Sequence, residues 1–238
     1  MEHGTNKFIN LLIEEKWLKT PEIIRAFKKI KREDFLPEDM KNLAELNEAL
    51  PIAFGQTISQ PLTVAFMLEL LQPKAGDKIL DVGAGSGWTT ALLAHIVSQK
   101  GISKSQFPIS KKIPNLKSQN PNGKVVAMEI IPELAEFGEK NIAKYGFIEK
   151  KIIKCVLGDG SKGFKKEAPY DKILVSASGK NLPEALKEQL KIGGRLVCPI
   201  QNSIWLFIKN PPAGGKNNEF QQKEYPGFVF VPLVHPVK

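Results

Sequence analysis

Three kinds of hydrophobic patterning follow one another along this 238-residue chain. Over residues 1–50 apolar positions recur at helical spacing, first Phe8, Leu11, Leu12 and Trp17, then Ile23, Ile24, Phe27 and Ile30. Between them Thr20-Pro21-Glu22 predicts a cap followed by proline at the first helical position. A polar link leads to a short extended stretch, and the helix after Pro61 presents Val64, Met67, Leu68 and Leu71 on one face before Pro73 stops it. From residue 78 the rhythm changes. Short apolar runs at 78–82, 124–129, 151–157, 172–176 and 195–200 alternate with helical segments at 88–97, 132–145 and 182–190, the last ended by Gly193-Gly194. That alternation predicts an α/β fold with a doubly wound, mostly parallel sheet. The third pattern is a terminal antiparallel pair, 203–208 and 228–233, joined across Pro211-Pro212-Ala213-Gly214-Gly215.

A chain of this length buries about 70–75% of its unfolded surface in one domain, so its core needs neither disulfide nor metal. We expect a single domain over 1–238: a helical cap (1–74), a ligand-binding core (75–200) and C-terminal strands (201–238). An apolar content of 42% and a charged content of 25% are those of an ordinary globular protein. No apolar run reaches the ~18–20 residues of a membrane span, and no signal-peptide pattern opens the chain, so a cytoplasmic location is expected. Cys155 and Cys198 sit in apolar runs without ligand spacing and read as buried thiols. His3, His95 and His235 are scattered, and no metal site is expected.

The net charge of +9 raises a nucleic-acid partner. Its distribution argues against one. Lys100, Lys104, Lys111, Lys112, Lys117 and Lys124 fall in 98–124, a segment without acidic residues, and account for six of the nine charges. Where a compact fold uses a link of about 2–6 residues, this stretch carries Pro108, Pro114 and Pro121 and reads as a mobile, solvated insertion.

Residues 79–87, Ile-Leu-Asp-Val-Gly-Ala-Gly-Ser-Gly, carry the clearest chemistry. A strand, a glycine turn and a helix N-terminus bring backbone amides around a ligand. The spacing of Gly83, Gly85 and Gly87 is not the Gly-x-Gly-x-x-Gly of dinucleotide sites. It points to S-adenosylmethionine (AdoMet), which has no pyrophosphate; a tight turn with no ligand is the plainer alternative. Asp81, an acid inside an apolar strand, calls for a bound partner and could orient the loop or meet the cofactor's ammonium. Glu129 ends the next strand, where a carboxylate can accept ribose hydroxyls. Gly158-Asp159-Gly160 follows the third strand and either reaches an adenine edge or forms a simple turn.

The second informative string is Gly55-Gln56-Thr57-Ile58-Ser59-Gln60-Pro61. Helix capping explains one of its polar residues and leaves the density of Gln56, Thr57, Ser59 and Gln60 unexplained.

With these strings in place, the chain resembles the protein-L-isoaspartate O-methyltransferase family, through Gly55–Pro61, Ile79–Gly87, residues 131–135, Gly158–Gly160, residues 168–171, 193–197 and 230–233. The resemblance implies a Rossmann-like AdoMet-dependent methyltransferase acting on isoaspartyl proteins and peptides, and initiating their repair through a succinimide. It implies that Ser59, with Thr57, contacts the isoaspartyl carboxylate and that Gln56–Ser59 closes over AdoMet. It further places Glu129 on the ribose and Asp159 near the adenine. A monomer without membrane or nucleic-acid partner is expected. The family's Ala-Tyr-x-Asp-x-Pro-Leu-Pro-Ile-Gly pattern is altered here at Glu45, Asn47 and Ala53, and the 98–124 insertion is a further departure. Two rivals remain at this point: an RNA or DNA base methyltransferase, favoured by charge, and a non-catalytic AdoMet-binding homologue, favoured by those substitutions.

Overall fold

The computed structural model describes residues 7–99, 123–211 and 219–233. Helices α1 (Lys7–Glu14) and α2 (Pro21–Lys29) each bury one face, through Phe8, Ile9 and Leu12 and through Ile23, Ala26 and Phe27. Pro21 holds the first position of α2, as its fixed φ favours. Thr20 precedes it without a side-chain cap. Its hydroxyl donates instead to Glu69 Oε2 at 2.7 Å, while Glu69 Oε1 accepts the Lys19 and Thr20 amides. The acceptor for this helix start is therefore supplied by α3 (Pro61–Leu71), which ties the N-terminal cap to the core.

Between the cap and α3 lies a hairpin of β1 (Leu50–Ala53) and β2 (Gln56–Ile58). Its two-residue loop, Phe54-Gly55, has both residues at positive φ, the pattern of a type I′ turn.

Seven strands form one sheet: β3 (Lys78–Val82), β4 (Lys124–Glu129), β5 (Ile153–Leu157), β6 (Tyr170–Val175), β7 (Leu190–Ile200), β8 (Ser203–Lys209) and β9 (Phe220–Pro226). Their order is β5-β4-β3-β6-β7-β8-β9, parallel through β7 and antiparallel for β7–β8 and β8–β9. The period of two sorts the side chains. Ile79, Val125, Leu174 and Val197 enter one core, and Leu80, Val126, Ile173 and Leu196 the other. Burial on both faces is why these strands read as unbroken apolar runs. The cover is lopsided: α1, α2, α3, α4 (Trp88–Val97) and Ile142 of α5 (Pro132–Ala143) pack on the first face. The second carries the five-residue α6 (Glu184–Glu188) and short 3-10 turns at Gly160–Lys162 and Lys165–Glu167.

Three expectations change. The helix expected over 182–190 shrinks to α6, because Leu190 leaves it to pair with Tyr170 and begin β7. Gly193 and Gly194 do not stop a helix; they lie where the register of β7 against β6 slips. The final strand is β9 at 220–226, not 228–233. Its sequence is polar and mostly exposed, since an edge strand can be held by its main-chain ladder alone. Residues 227–233 instead cross the sheet's carboxyl end. The Gly227 and Phe228 amides donate to the Asn202 carbonyl, Ser178 N–H donates to the Val231 carbonyl, and Leu233 N–H returns to the Ser178 carbonyl. Phe228 stacks on Phe66 of α3 with centroids 5.2 Å apart. Of the lysine-rich insertion, residues 100–122 lie outside the described residues.

Candidate active site

After β3 the chain moves outward through β4 to β5, then returns to place β6 on the other side of β3. Such a reversal leaves a crevice outside the carboxyl ends of the strands. A cleft of about 750 Å³, open mouth included, lies there.

The glycine loop forms its floor. Gly83 and Ala84 N–H groups both donate to the Met128 carbonyl at 2.9 and 3.0 Å, and Gly85 N–H donates to Glu129 Oε2 at 2.9 Å. The other carboxylate oxygen of Glu129 accepts the Ile130 and Ile131 amides at 2.8 and 3.1 Å. Three main-chain donors thus orient one carboxylate at the end of β4. At Gly87 φ is +85°, and a Cβ would lie 2.8 Å from Ile142 Cγ1 and 2.9 Å from the Gly138 carbonyl. Gly87 lets α4 pack against α5 as much as it turns the chain.

Asp81 is fully buried beneath this loop. Its Oδ2 accepts the Thr90 hydroxyl at 2.6 Å, and Oδ1 has no partner among the described residues. Burial pushes its carboxyl up to about 6, with Glu129's negative charge adding to the rise and the Thr90 hydrogen bond opposing it.

Across the cleft stands the hairpin. Gln56, Thr57, Ile58 and Ser59 face the cavity, and the Thr57 and Ser59 hydroxyls make no hydrogen bond among the described residues. The sequence departures nearby have structural roles. Burial raises the Glu45 carboxyl above its ordinary value, and the Lys7 and Phe8 amides at the start of α1 oppose that rise. Asn47 Oδ1 accepts the Leu62 N–H at 2.9 Å, capping α3, while its own carbonyl accepts Gln60 Nε2 at 2.8 Å. An aspartate oxygen would accept the same helix amide, so Asn47 preserves the contact. Ala53 pairs with Gln56 at the base of the turn.

The cavity brings together Gln56, Thr57, Ser59, Gly83, Gly85, Glu129, Gly158 and Gly160. Asp81, Gly87 and Asp159 do not line it. Asp159 accepts the Ser161 amide and hydroxyl at 3.0 and 2.6 Å and approaches Lys162 Nζ at 3.5 Å. Burial raises its carboxyl, but these Ser161 and Lys162 contacts outweigh that and hold it below its ordinary value. A Cβ at Gly160 would run into Val82, so that glycine also serves packing. Sequence reasoning missed the apolar wall of Met128, Ile130, Ile131 and Leu134, and the contributions of Ser176 and Val231–Leu233. Ser176 follows β6 at the switch point, and that topology was the available signal. Val231–Leu233 could not be placed while 228–233 was read as a strand. Among the described residues no histidine lines the cleft.

The comparisons with known proteins agree with this geometry. A family model described as Protein-L-isoaspartate(D-aspartate) O-methyltransferase matches residues 3–238. A protein-L-isoaspartate O-methyltransferase of Methanopyrus kandleri is 38% identical over 222 residues, covering 92% of this chain and 85% of its own. Protein-L-isoaspartate O-methyltransferase 2 of Archaeoglobus fulgidus is 40% identical over 212 residues, 89% of this chain and 84% of its own. Among solved structures, one from Plasmodium falciparum, described as a protein-L-isoaspartate O-methyltransferase in complex with S-adenosyl-L-homocysteine, superposes with a TM-score of 0.76 at 21% identity. It covers 98% of this chain and 99% of its own, a likeness of fold. By the extent of the family match and the identity of these relatives, the chain belongs to the protein-L-isoaspartate(D-aspartate) O-methyltransferase family.

Proposed function

We propose that this chain transfers a methyl group from AdoMet to the α-carboxylate of L-isoaspartyl residues in damaged proteins and peptides, with Ser59 as the hydroxyl that orients that carboxylate. The observation carrying this reading is the pair of hydroxyls on Thr57 and Ser59, facing a glycine loop and an amide-held carboxylate across one cleft.

The residues present fit the cofactor. Gly83 and Gly85 allow the main chain to come close to a ligand, since a side chain at Gly85 would stand in the gap toward Ile52. Glu129 would accept the ribose hydroxyls, and Gly158 with the Met128, Ile130, Ile131 and Leu134 wall would take the adenine. Bound AdoMet supplies an electrophilic methyl group on a sulfonium.

The remaining task belongs to the protein. A carboxylate has an unperturbed pKa of about 4 and is ionised at neutral pH, so no base is needed to create the nucleophile. Ser59 and Thr57 orient it, and the hairpin keeps water from its reactive oxygen. That oxygen would take the methyl group that AdoMet supplies, the new O–C bond replacing the methyl–sulfur bond, and no proton would move. The backbone amide nitrogen that follows then attacks the ester carbonyl and expels methanol, giving a succinimide that water reopens in part to normal aspartate.

The same reading carries a cytoplasmic enzyme acting as a single chain, without nucleic acid. Of the two thiols expected to be buried, Cys198 is buried and Cys155 only half-buried; both are free, and burial pushes them up to about 12 and about 11. Among the described residues no helix is long and apolar enough to cross a membrane.

The test uses labelled AdoMet with paired peptides carrying isoaspartate or aspartate at one position, and with bulk tRNA. Label should enter the isoaspartyl peptide and leave as methanol, because the normal side-chain carboxylate sits one methylene out of place. Equal labelling of both peptides, or labelling of tRNA alone, would refute the proposal.

A further inference from the structure

Arg32 opens the 3-10 turn Arg32–Phe35 and is 3% exposed. Among the described residues it has no carboxylate within ion-pairing distance. Its guanidinium instead donates to four main-chain carbonyls: Nη1 to Ala44 at 3.2 Å and Leu46 at 2.9 Å, Nη2 to Glu48 at 2.6 Å and Ser59 at 3.3 Å. The guanidinium carbon also sits 5.5 Å from the ring centroid of Trp88, within cation–π range. Trp88 is the first residue of α4, directly after Gly87. One side chain therefore touches the residue that ends the substrate-facing segment and the residue that follows the cofactor loop.

A buried cation is costly, and a lysine would be a point charge unable to meet carbonyls spread over residues 44–59. Arginine occurs only three times among the 34 basic residues of the chain. Where lysine is the default cation, an arginine marks a need for its fork. Burial lowers the guanidinium to about 10, with the charge of Glu45 opposing the fall, so it remains protonated at neutral pH.

We propose that Arg32 is a positioning residue for methyl transfer, holding Ser59 at its working distance from the cofactor loop by clamping the 44–48 segment and the Ser59 carbonyl against Trp88. The proposal rests on Ser59 being the substrate-orienting hydroxyl. Arg32 reaches the reaction through the main chain of Ser59 and does not line the cleft.

The experiment compares wild type, Arg32→Lys and Arg32→Met by amide hydrogen exchange, AdoMet calorimetry and steady-state kinetics on an isoaspartyl peptide. Arg32→Lys keeps the charge and most of the volume and serves as the folded variant should Arg32→Met fail to fold. Exchange should quicken about tenfold or more across residues 46–60 and stay unchanged across β3 and α4. Peptide kcat/KM should fall about tenfold to a hundredfold, the loss expected for charge-assisted hydrogen bonds, chiefly through KM. AdoMet affinity should stay within about threefold, and Arg32→Lys should lie between wild type and Arg32→Met. Unchanged exchange across 46–60, or AdoMet affinity falling as far as peptide efficiency, would overturn the proposal. A wild type that binds AdoMet but leaves the isoaspartyl peptide unmethylated would refute the proposed substrate instead, and the exchange result alone would then decide the role of Arg32.

Discussion

The glycine loop after β3 and the β1–β2 hairpin face one another across the same cleft, yet they are built on opposite terms. The loop is part of the core: its amides are spent on Met128 and Glu129, α4 leaves it packed against α5, and a buried carboxylate lies beneath. The hairpin is three paired positions long, with Phe54 at its tip 57% exposed, and is secured from below by Arg32 and by Asn47's hold on the start of α3. On the proposed reading, cofactor recognition would be a by-product of folding, whereas substrate alignment would depend on a few polar pins. Damage to the loop should appear as lost stability. Damage to the hairpin should appear as lost turnover in a folded protein.

The most severe test is Gly87→Ala. The added Cβ meets Ile142 and the Gly138 carbonyl at under 3 Å, in a backbone region that side chains rarely occupy. We expect a loss of about 3 kcal/mol or more by urea unfolding. Unchanged stability would break the contrast at its strongest point. Next is Asp81, whose native carboxyl titrates near 6 against about 3.9 in the unfolded chain. The native state holds this proton more tightly, so its stabilising contribution is full below about pH 4 and lost as pH rises through 6. Asp81→Asn should remove that dependence, gaining up to about 3 kcal/mol on wild type between pH 4 and pH 7. Parallel stability curves for the two proteins would contradict the assigned cause. The gentlest change is Ser59→Ala, which should leave the melting temperature within a few degrees and AdoMet binding largely intact. Its turnover on isoaspartyl peptide should fall about tenfold, to a hundredfold if the hydrogen bond forms mainly in the transition state. Full activity would remove Ser59 from the mechanism.

How far the sequence anticipated this follows the same divide. Residues 79–87 were readable because strand, turn and helix each leave a local signature there, and the prolines at 21, 61 and 132 each stand at a helix start. The hairpin announced itself only as an excess of polar residues, since three paired positions are too short for an alternating pattern. At the C-terminus pattern and structure parted. Phe-Gln-Gln-Lys-Glu-Tyr-Pro has no apolar alternation and is held as β9 by main-chain pairing, while the unbroken apolar stretch at 228–233 uses Phe228 and Phe230 to pin a crossover against the core. Arg32 was illegible by position, because its partners are carbonyls, which every residue has. Its signal lay in the rarity of arginine.

The crossover at 227–233 sets an order of assembly during synthesis. Residues 56–160, which supply most of the cleft, leave the ribosome well before Val231, Pro232 and Leu233, which complete its rim beside Ser176 and Ala177. A growing chain can therefore build the cofactor floor and the hairpin while the cleft still lacks one edge. Until the last of these residues emerges, the cleft is open on that side.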